Sequence, residues 1–319
     1  PFQETARDRP PNVPRGDPRE ARAEEGRQPP DLDRQRRQLH QTVGETLEAL
    51  QPESVDRLAL HFYYSDTDDT QLRTKSLHSL DAAAHQAKLE YANQIALNYL
   101  TRALKLERSW PRVRDKVELL HILGLREEEA QALLVLDLEA VAGAEVRPAP
   151  EIRQIETKLL WSGYYDAVSD YARARAVVGE ALESSRVRGI WRTAARCYAQ
   201  LGLIAWRLGD YADAKAHYAD GLAVLDTAEA ATEVDAQQEE AEIRYGLGLV
   251  FRQQGQYAAA IEQFEQSLAL YQAAANRIGE ARSLKAIGLA EKYRQHYDAA
   301  QAYYADALSL YRDVGARAG

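Results

Sequence analysis

The sequence predicts an all-helical protein, a solenoid of antiparallel helix pairs. Three observations predict it. From residue 34 onward apolar residues recur with helical periodicity, and no alternating strand pattern competes. Proline interrupts that stretch only at Pro52, Pro111, Pro148 and Pro150. The C-terminal half repeats itself, as DYARARAVVGEAL (170–182), DYADAKAHYADGL (210–222), QYAAAIEQFEQSL (256–268) and HYDAAQAYYADAL (296–308).

Residues 1–33 are rich in Pro, Arg, Glu and Asp and hold few apolar residues after Phe2. Such a segment buries too little surface to offset its ordering entropy, so a linker or disordered tail is expected. A first helical block is expected over 34–147. The prolines at 148 and 150 mark a break before a second block over 151–319.

The second block reads as four helical hairpins. Tyr171, Tyr211, Tyr257 and Tyr297 open the second helix of each, at spacings of 40, 46 and 40 residues. The longer middle spacing predicts an extended linker and helix start around Thr227–Glu240. Ahead of the last three tyrosines lies a first-helix pattern, CYAQLGLIAWRLGDY (197–211), RYGLGLVFRQQGQY (244–257) and LKAIGLAEKYRQHY (284–297). Gly202, Gly248 and Gly288 each fall nine residues before their tyrosine. Ala214, Ala260 and Ala300 fall three after it, and Tyr218, Phe264 and Tyr304 seven after it. Small residues on both helices let the backbones approach, and large residues fill the remaining gap. Gly209 and Gly255 supply the turns. A single hairpin leaves its apolar face uncovered, which is why the unit recurs. In the first hairpin Ser162 replaces the glycine and Val178 the aromatic.

This arrangement of Ala, Gly and an aromatic, with Leu-Gly before the turn, resembles the tetratricopeptide repeat (TPR), in a unit longer than its usual ~34 residues. The resemblance implies a right-handed superhelix that binds other proteins. RRQLHQTVGETLEAL (36–50), LALHFYYSD (58–66), EYANQIALNYLTRAL (90–104) and LGLREEEAQALLVLDLEAV (123–141) resemble the helices that follow the ATPase module in large bacterial multi-domain signalling ATPases. That resemblance implies a sensor or regulatory scaffold within such a protein, with a protein, a peptide or its own ATPase module as partner. The alternative is a free-standing adaptor that binds an acidic peptide.

No enzyme is expected. The chain has no G-x-x-x-x-G-K-[ST] phosphate loop, no H-E-x-x-H and no C-x-x-C, so neither a cofactor nor a metal is expected. Asp66, Asp68 and Asp69 lack the glycine and final acid of a calcium loop and read as turn and helix-cap residues. A net charge of −9 argues against a nucleic-acid partner. No apolar run is long enough to span a membrane and no signal peptide is evident, so a cytoplasmic protein is expected. Cys197, the only cysteine, reads as a small buried hydrophobe. A start at Pro1 and the absence of methionine predict a piece of a longer protein.

First-helix positions not used in packing predict a peptide groove. They are Arg196, Ala199, Leu203 and Trp206, then Glu242, Tyr245, Leu249 and Arg252, then Arg282, Lys285, Leu289 and Lys292. The candidate contact residues are Arg196, Trp206, Tyr245, Arg252, Arg282, Lys285 and Lys292, the last three making a basic patch suited to an acidic peptide. Trp161 reads as a core residue. Arg317–Gly319 align with Arg277–Gly279, where the next helix begins, so the array is expected to continue beyond 319. The last helix keeps Tyr303, Tyr304, Leu308 and Tyr311, a pattern suited to a covered face, and end-to-end self-association is expected of the piece.

Overall fold

The structure, a computed structural model, describes residues 30–141, 148–226 and 236–315. Residues 1–29 of the expected linker, 227–235 of the expected middle linker, and the closing 316–319 lie outside the described residues. Among the described residues there are fourteen α-helices and no strand. By its contacts the chain divides into two compact units, residues 1–79 and 80–319.

The first unit holds α1 (Pro30–Leu50), α2 (Val55–Tyr63) and the start of α3 (Thr70–Leu89). Its core is Leu58, Phe62 and Leu72, with Leu47 packed on it. The ring of Phe62 lies over Gly44, where a Cβ would stand 3.0 Å from it. Asp69 caps α3, its Oδ1 accepting from the amides of Gln71 at 2.8 Å and Leu72 at 3.0 Å.

The second unit continues with α4 (Asn93–Leu106), α5 (Trp110–Leu123) and α6 (Arg126–Val141). Four hairpins follow: α7 (Pro150–Ala167) with α8 (Tyr171–Val187), α9 (Trp191–Leu208) with α10 (Tyr211–Leu225), α11 (Ala236–Gln253) with α12 (Tyr257–Ala273), and α13 (Arg277–Tyr293) with α14 (Tyr297–Asp313). The helices on either side of Pro148 and Pro150 pack together, with Leu160, Trp161 and Tyr164 of α7 against the cluster that holds Leu133 and Leu136. The core continues as clusters shared between neighbouring hairpins, α7–α9, then α9–α11, then α11–α13. Each of the first three hairpins is thereby covered by the first helix of the next, as a solenoid requires.

The turns inside the hairpins share one geometry. Ser169, Gly209, Gly255 and Gln295 each have positive φ, 63°, 81°, 75° and 67°. The next amide reaches back to a carbonyl of the preceding turn, as in Asp210 N to Ala205 O at 2.9 Å and His296 N to Glu291 O at 3.0 Å. These are left-handed C-caps that satisfy carbonyls the helix leaves orphaned. Asp170 and Asp210 then cap the second helices, accepting from Arg173 N and Asp213 N, each at 3.2 Å.

The glycines of the first helices make room for aromatic rings. A Cβ on Gly202 would lie 2.6 Å from the Tyr218 ring, and one on Gly248 2.5 Å from the Phe264 ring. On Gly288 it would lie 3.0 Å from Tyr304 and 3.2 Å from the Ala300 carbonyl. The expectation that glycine faces alanine is therefore met in part. The helices do cross there, but at Gly202 and Gly248 the nearest neighbour is the ring. The first hairpin substitutes both members of the pair. Val178 is smaller than a ring, and Ser162 fills the difference with a buried hydroxyl that donates to the Ala174 carbonyl at 3.0 Å.

The same rings reach the following hairpin. Gly246 of α11 lies against the Tyr218 ring and hydroxyl, and a Cβ there would overlap both. One repeat later the aromatic is Phe264, which has no hydroxyl, and the register-equivalent position is Ala286 in the same cluster. Ring size and backbone clearance change together. Gly246→Ala should therefore cost about 1–3 kcal/mol by overpacking. Adding Tyr218→Phe should recover part of that loss in urea melts, and a strictly additive double mutant would contradict the pairing.

Candidate functional site

The first helices of the hairpins present their remaining faces to one cleft of ≈ 530 Å³. Of the residues expected to line a groove, Arg196, Trp206, Tyr245 and Arg282 do line it, with Ala199, Leu203, Glu242 and Leu249. Arg252, Lys285 and Lys292 do not border this cleft. Arg252 is half-buried on α11, and Lys285 and Lys292 are exposed on α13.

The cleft is electrostatically balanced rather than basic. Arg282 pairs with Glu242 at 3.2 Å, and its guanidinium lies 4.5 Å from the Tyr245 ring centroid. Burial pulls its pKa down, but Glu242 and the tyrosines more than offset that and hold it above the ordinary arginine value. Arg207 pairs with Asp166 at 2.9 Å. Burial nevertheless pushes the Asp166 carboxyl above its usual value, with Arg207 and His121 opposing. Arg196 is exposed and makes no ion pair among the described residues.

Among the described residues three buried polar atoms in the cleft wall have no hydrogen-bond partner: Asp166 Oδ1, which lies in the Arg207 ion pair, and two others. One is the indole Nε1 of Trp206, a donor, and the other is Oε2 of Glu239, an acceptor. The Glu239 side chain is only 5% exposed, and its other oxygen accepts from Arg192 Nε at 2.8 Å. Orphaned buried groups are rare, because each costs a lost hydrogen bond, and they ask what completes them. Trp161 behaves differently. It is half-buried, donates to Asp137 Oδ2 at 2.9 Å and stacks on Tyr165 at 5.4 Å.

One register position of the first helices alternates in sign. It is Glu156 on α7, Arg196 on α9, Glu242 on α11 and Arg282 on α13. Burial raises the Glu156 carboxyl, and Arg114 and Arg196 pull it back. Glu239 was not anticipated, since it falls in the stretch Thr227–Glu240 where only a linker and helix start were expected. Asp166 and Arg207 lie near the ends of their helices and carry no sequence signal apart from their position.

Residues 239–313 and 195–223 match models of the tetratricopeptide repeat. No curated protein sequence matches the chain. The fold is similar to that of the Rap protein solved in complex with competence and sporulation factor, at 14% identity and a TM-score of 0.53, covering 93% of this chain and 90% of that one. Other similar structures are BtubC from P. vanneervenii (16% identity, TM-score 0.48, 76% of this chain and 92% of that one) and pilF of Pseudomonas aeruginosa (16%, 0.44, 75% and 92%). The chain thus carries TPR repeats, an architecture that in general serves as a scaffold for protein–protein contacts. Among the described residues no helix is long and apolar enough to cross a membrane.

Cys197 lies within the α7–α9 cluster with no exposed surface, and burial pushes its thiol up to about 12. A thiol held neutral and enclosed is inert. Modification of the native chain by a thiol reagent should proceed only as fast as the protein opens. Stoichiometric labelling within the mixing time would contradict this burial.

Proposed function

We propose that the cleft of α7, α9, α11 and α13 binds a segment of another polypeptide. The observation that carries this reading is the pair of unsatisfied groups in its wall. Trp206 Nε1 needs an acceptor and Glu239 Oε2 a donor. A peptide backbone supplies both, as carbonyl and amide, and Leu203 and Leu249 offer apolar contact beside them. The similar Rap protein was solved with a bound factor, which agrees with a ligand-binding role for this architecture.

The finer reading is a regulatory scaffold of a larger signalling ATPase, the groove holding a partner or the ATPase module itself. Its support is the resemblance of the helices within 36–141. An adaptor for an acidic peptide has less support, because Arg282 is already paired with Glu242 and Lys285 and Lys292 lie off the cleft. End-to-end association has one favourable observation, Leu308 of α14, which is 48% exposed.

The groove is tested by capturing a bound segment with the intact chain and measuring its affinity for variants. Trp206→Phe and Glu239→Ala should each weaken binding by about 1 kcal/mol or more, whereas Glu180→Ala on α8 should have no effect. Equal affinity for all three variants would remove the cleft from consideration. Self-association is checked by light scattering over a concentration series. A constant monomer mass would end that reading.

A further inference from the structure

A second cleft, of ≈ 490 Å³, lies among α4, α5 and α6. Its floor is apolar, made by Leu104, Leu106, Val113, Ala132 and Val135. Its polar lining is Thr101 and three cations, Lys105 at the end of α4, Arg108 in the following turn and Lys116 on α5, with no acidic residue among the described lining. This is a local excess of positive charge in a chain of net charge −9.

The acids adjacent in sequence to these three cations are engaged elsewhere. Glu107 pairs with Arg112 at 3.2 Å. Asp115 pairs with Arg114 at 2.7 Å and Lys88 at 3.4 Å, and Glu118 with Lys88 at 3.6 Å. Glu129 is enclosed with Arg126 at 2.6 Å. Lys105, Arg108 and Lys116 make no ion pair among the described residues. A cation at a helix C-terminus is favoured by the helix dipole, which accounts for Lys105 but not for Arg108 or Lys116.

The apolar surface continues past the rim. Leu138 follows Val135 by one helical turn on α6 and is 71% exposed, and Leu134, one turn before Leu138, is 60% exposed. An apolar floor with an exposed leucine stripe exceeds what a free anion would use. A nucleic-acid strand would leave the leucines unmatched.

We propose that this α4–α6 cleft docks an acidic, leucine-bearing peptide segment of a partner protein. Its carboxylates meet Lys105, Arg108 and Lys116, and its apolar side chains fill the floor and cover Leu138. The site is separate from the groove of the hairpin helices, so the chain holds two polypeptides at once.

The test uses the full chain on an array of heptapeptides in three sets: acids with leucine, lysines with leucine, and acids with serine. The expected result is enrichment of the first set alone. Anisotropy with the best binder should show affinity falling as salt rises from about 0.05 to about 0.5 M. Lys105→Glu, Arg108→Glu and Lys116→Glu should each weaken it about threefold to tenfold. Leu138→Ser should weaken it too, while Trp206→Phe and Lys285→Glu leave it unchanged. Lys105, Arg108, Leu138 and Lys285 are exposed and Lys116 and Trp206 half-buried, and unchanged melting curves establish that the variants fold. No enrichment of the acidic leucine set, equal binding by the lysine set, or indifference to the three charge reversals would overturn the proposal. Full displacement of the peptide by a single-stranded oligonucleotide would overturn it in favour of a nucleic-acid site.

Discussion

Stacking in the repeat array rests on the seating of aromatic rings from the second helices upon glycines of the first helices. Tyr218 touches the backbone of α9 at Gly202 and of α11 at Gly246, so one ring fixes both the closure of its hairpin and the distance to the next. A ring is rigid and large, and protein interiors tolerate neither voids nor overlap, so this contact sets the spacing of two helix pairs within a few tenths of an ångström. The cleft inherits that spacing. Tyr218 and Gly246 both line it, directly beneath the groups that would meet a ligand.

The polar content of the cleft follows from the same close packing. Helices brought this near place charges from successive repeats within reach of one another, and most of them neutralise inside the protein. Arg282 with Glu242 and Arg207 with Asp166 stiffen the groove but leave little net charge for recognition. What remains without a hydrogen bond is the Trp206 indole N–H and one oxygen each of Glu239 and Asp166, while Arg196 stays exposed. In the proposed groove recognition would rest on matched hydrogen bonds, and electrostatic attraction is available on another face.

The hairpins were legible in the sequence because their determinants are local and periodic. Gly202, Gly248 and Gly288 stand at fixed offsets from a tyrosine, and helical periodicity alone places them on the packed face. The identity of what they touch was not legible, since the ring comes from the other helix at a height that spacing does not specify. Of the seven candidate groove residues read from register, four border the cleft. Arg282 was misjudged as a free charge because its counter-ion, Glu242, lies a whole repeat away. Glu239 was missed because the 46-residue spacing locates the start of α11 only within Thr227–Glu240 and leaves the register of its first turn open. The basic cleft left no trace in the sequence. Around Lys105, Arg108 and Lys116 acids and bases are interspersed, and only the pairings in space reveal which charges stay uncancelled.

The alternation of Glu156, Arg196, Glu242 and Arg282 bears on how such an array can change length. Excision of α9 and α10 would set Glu156 beside Glu242. Loss of α11 and α12 would set Arg196 beside Arg282. Either junction juxtaposes like charges in a partly desolvated seam, where repulsion is poorly screened. Removal or duplication of two adjacent hairpins keeps opposite signs at neighbouring register positions. Along this face the charge-matched unit is therefore a pair of hairpins, although each hairpin folds on the same plan.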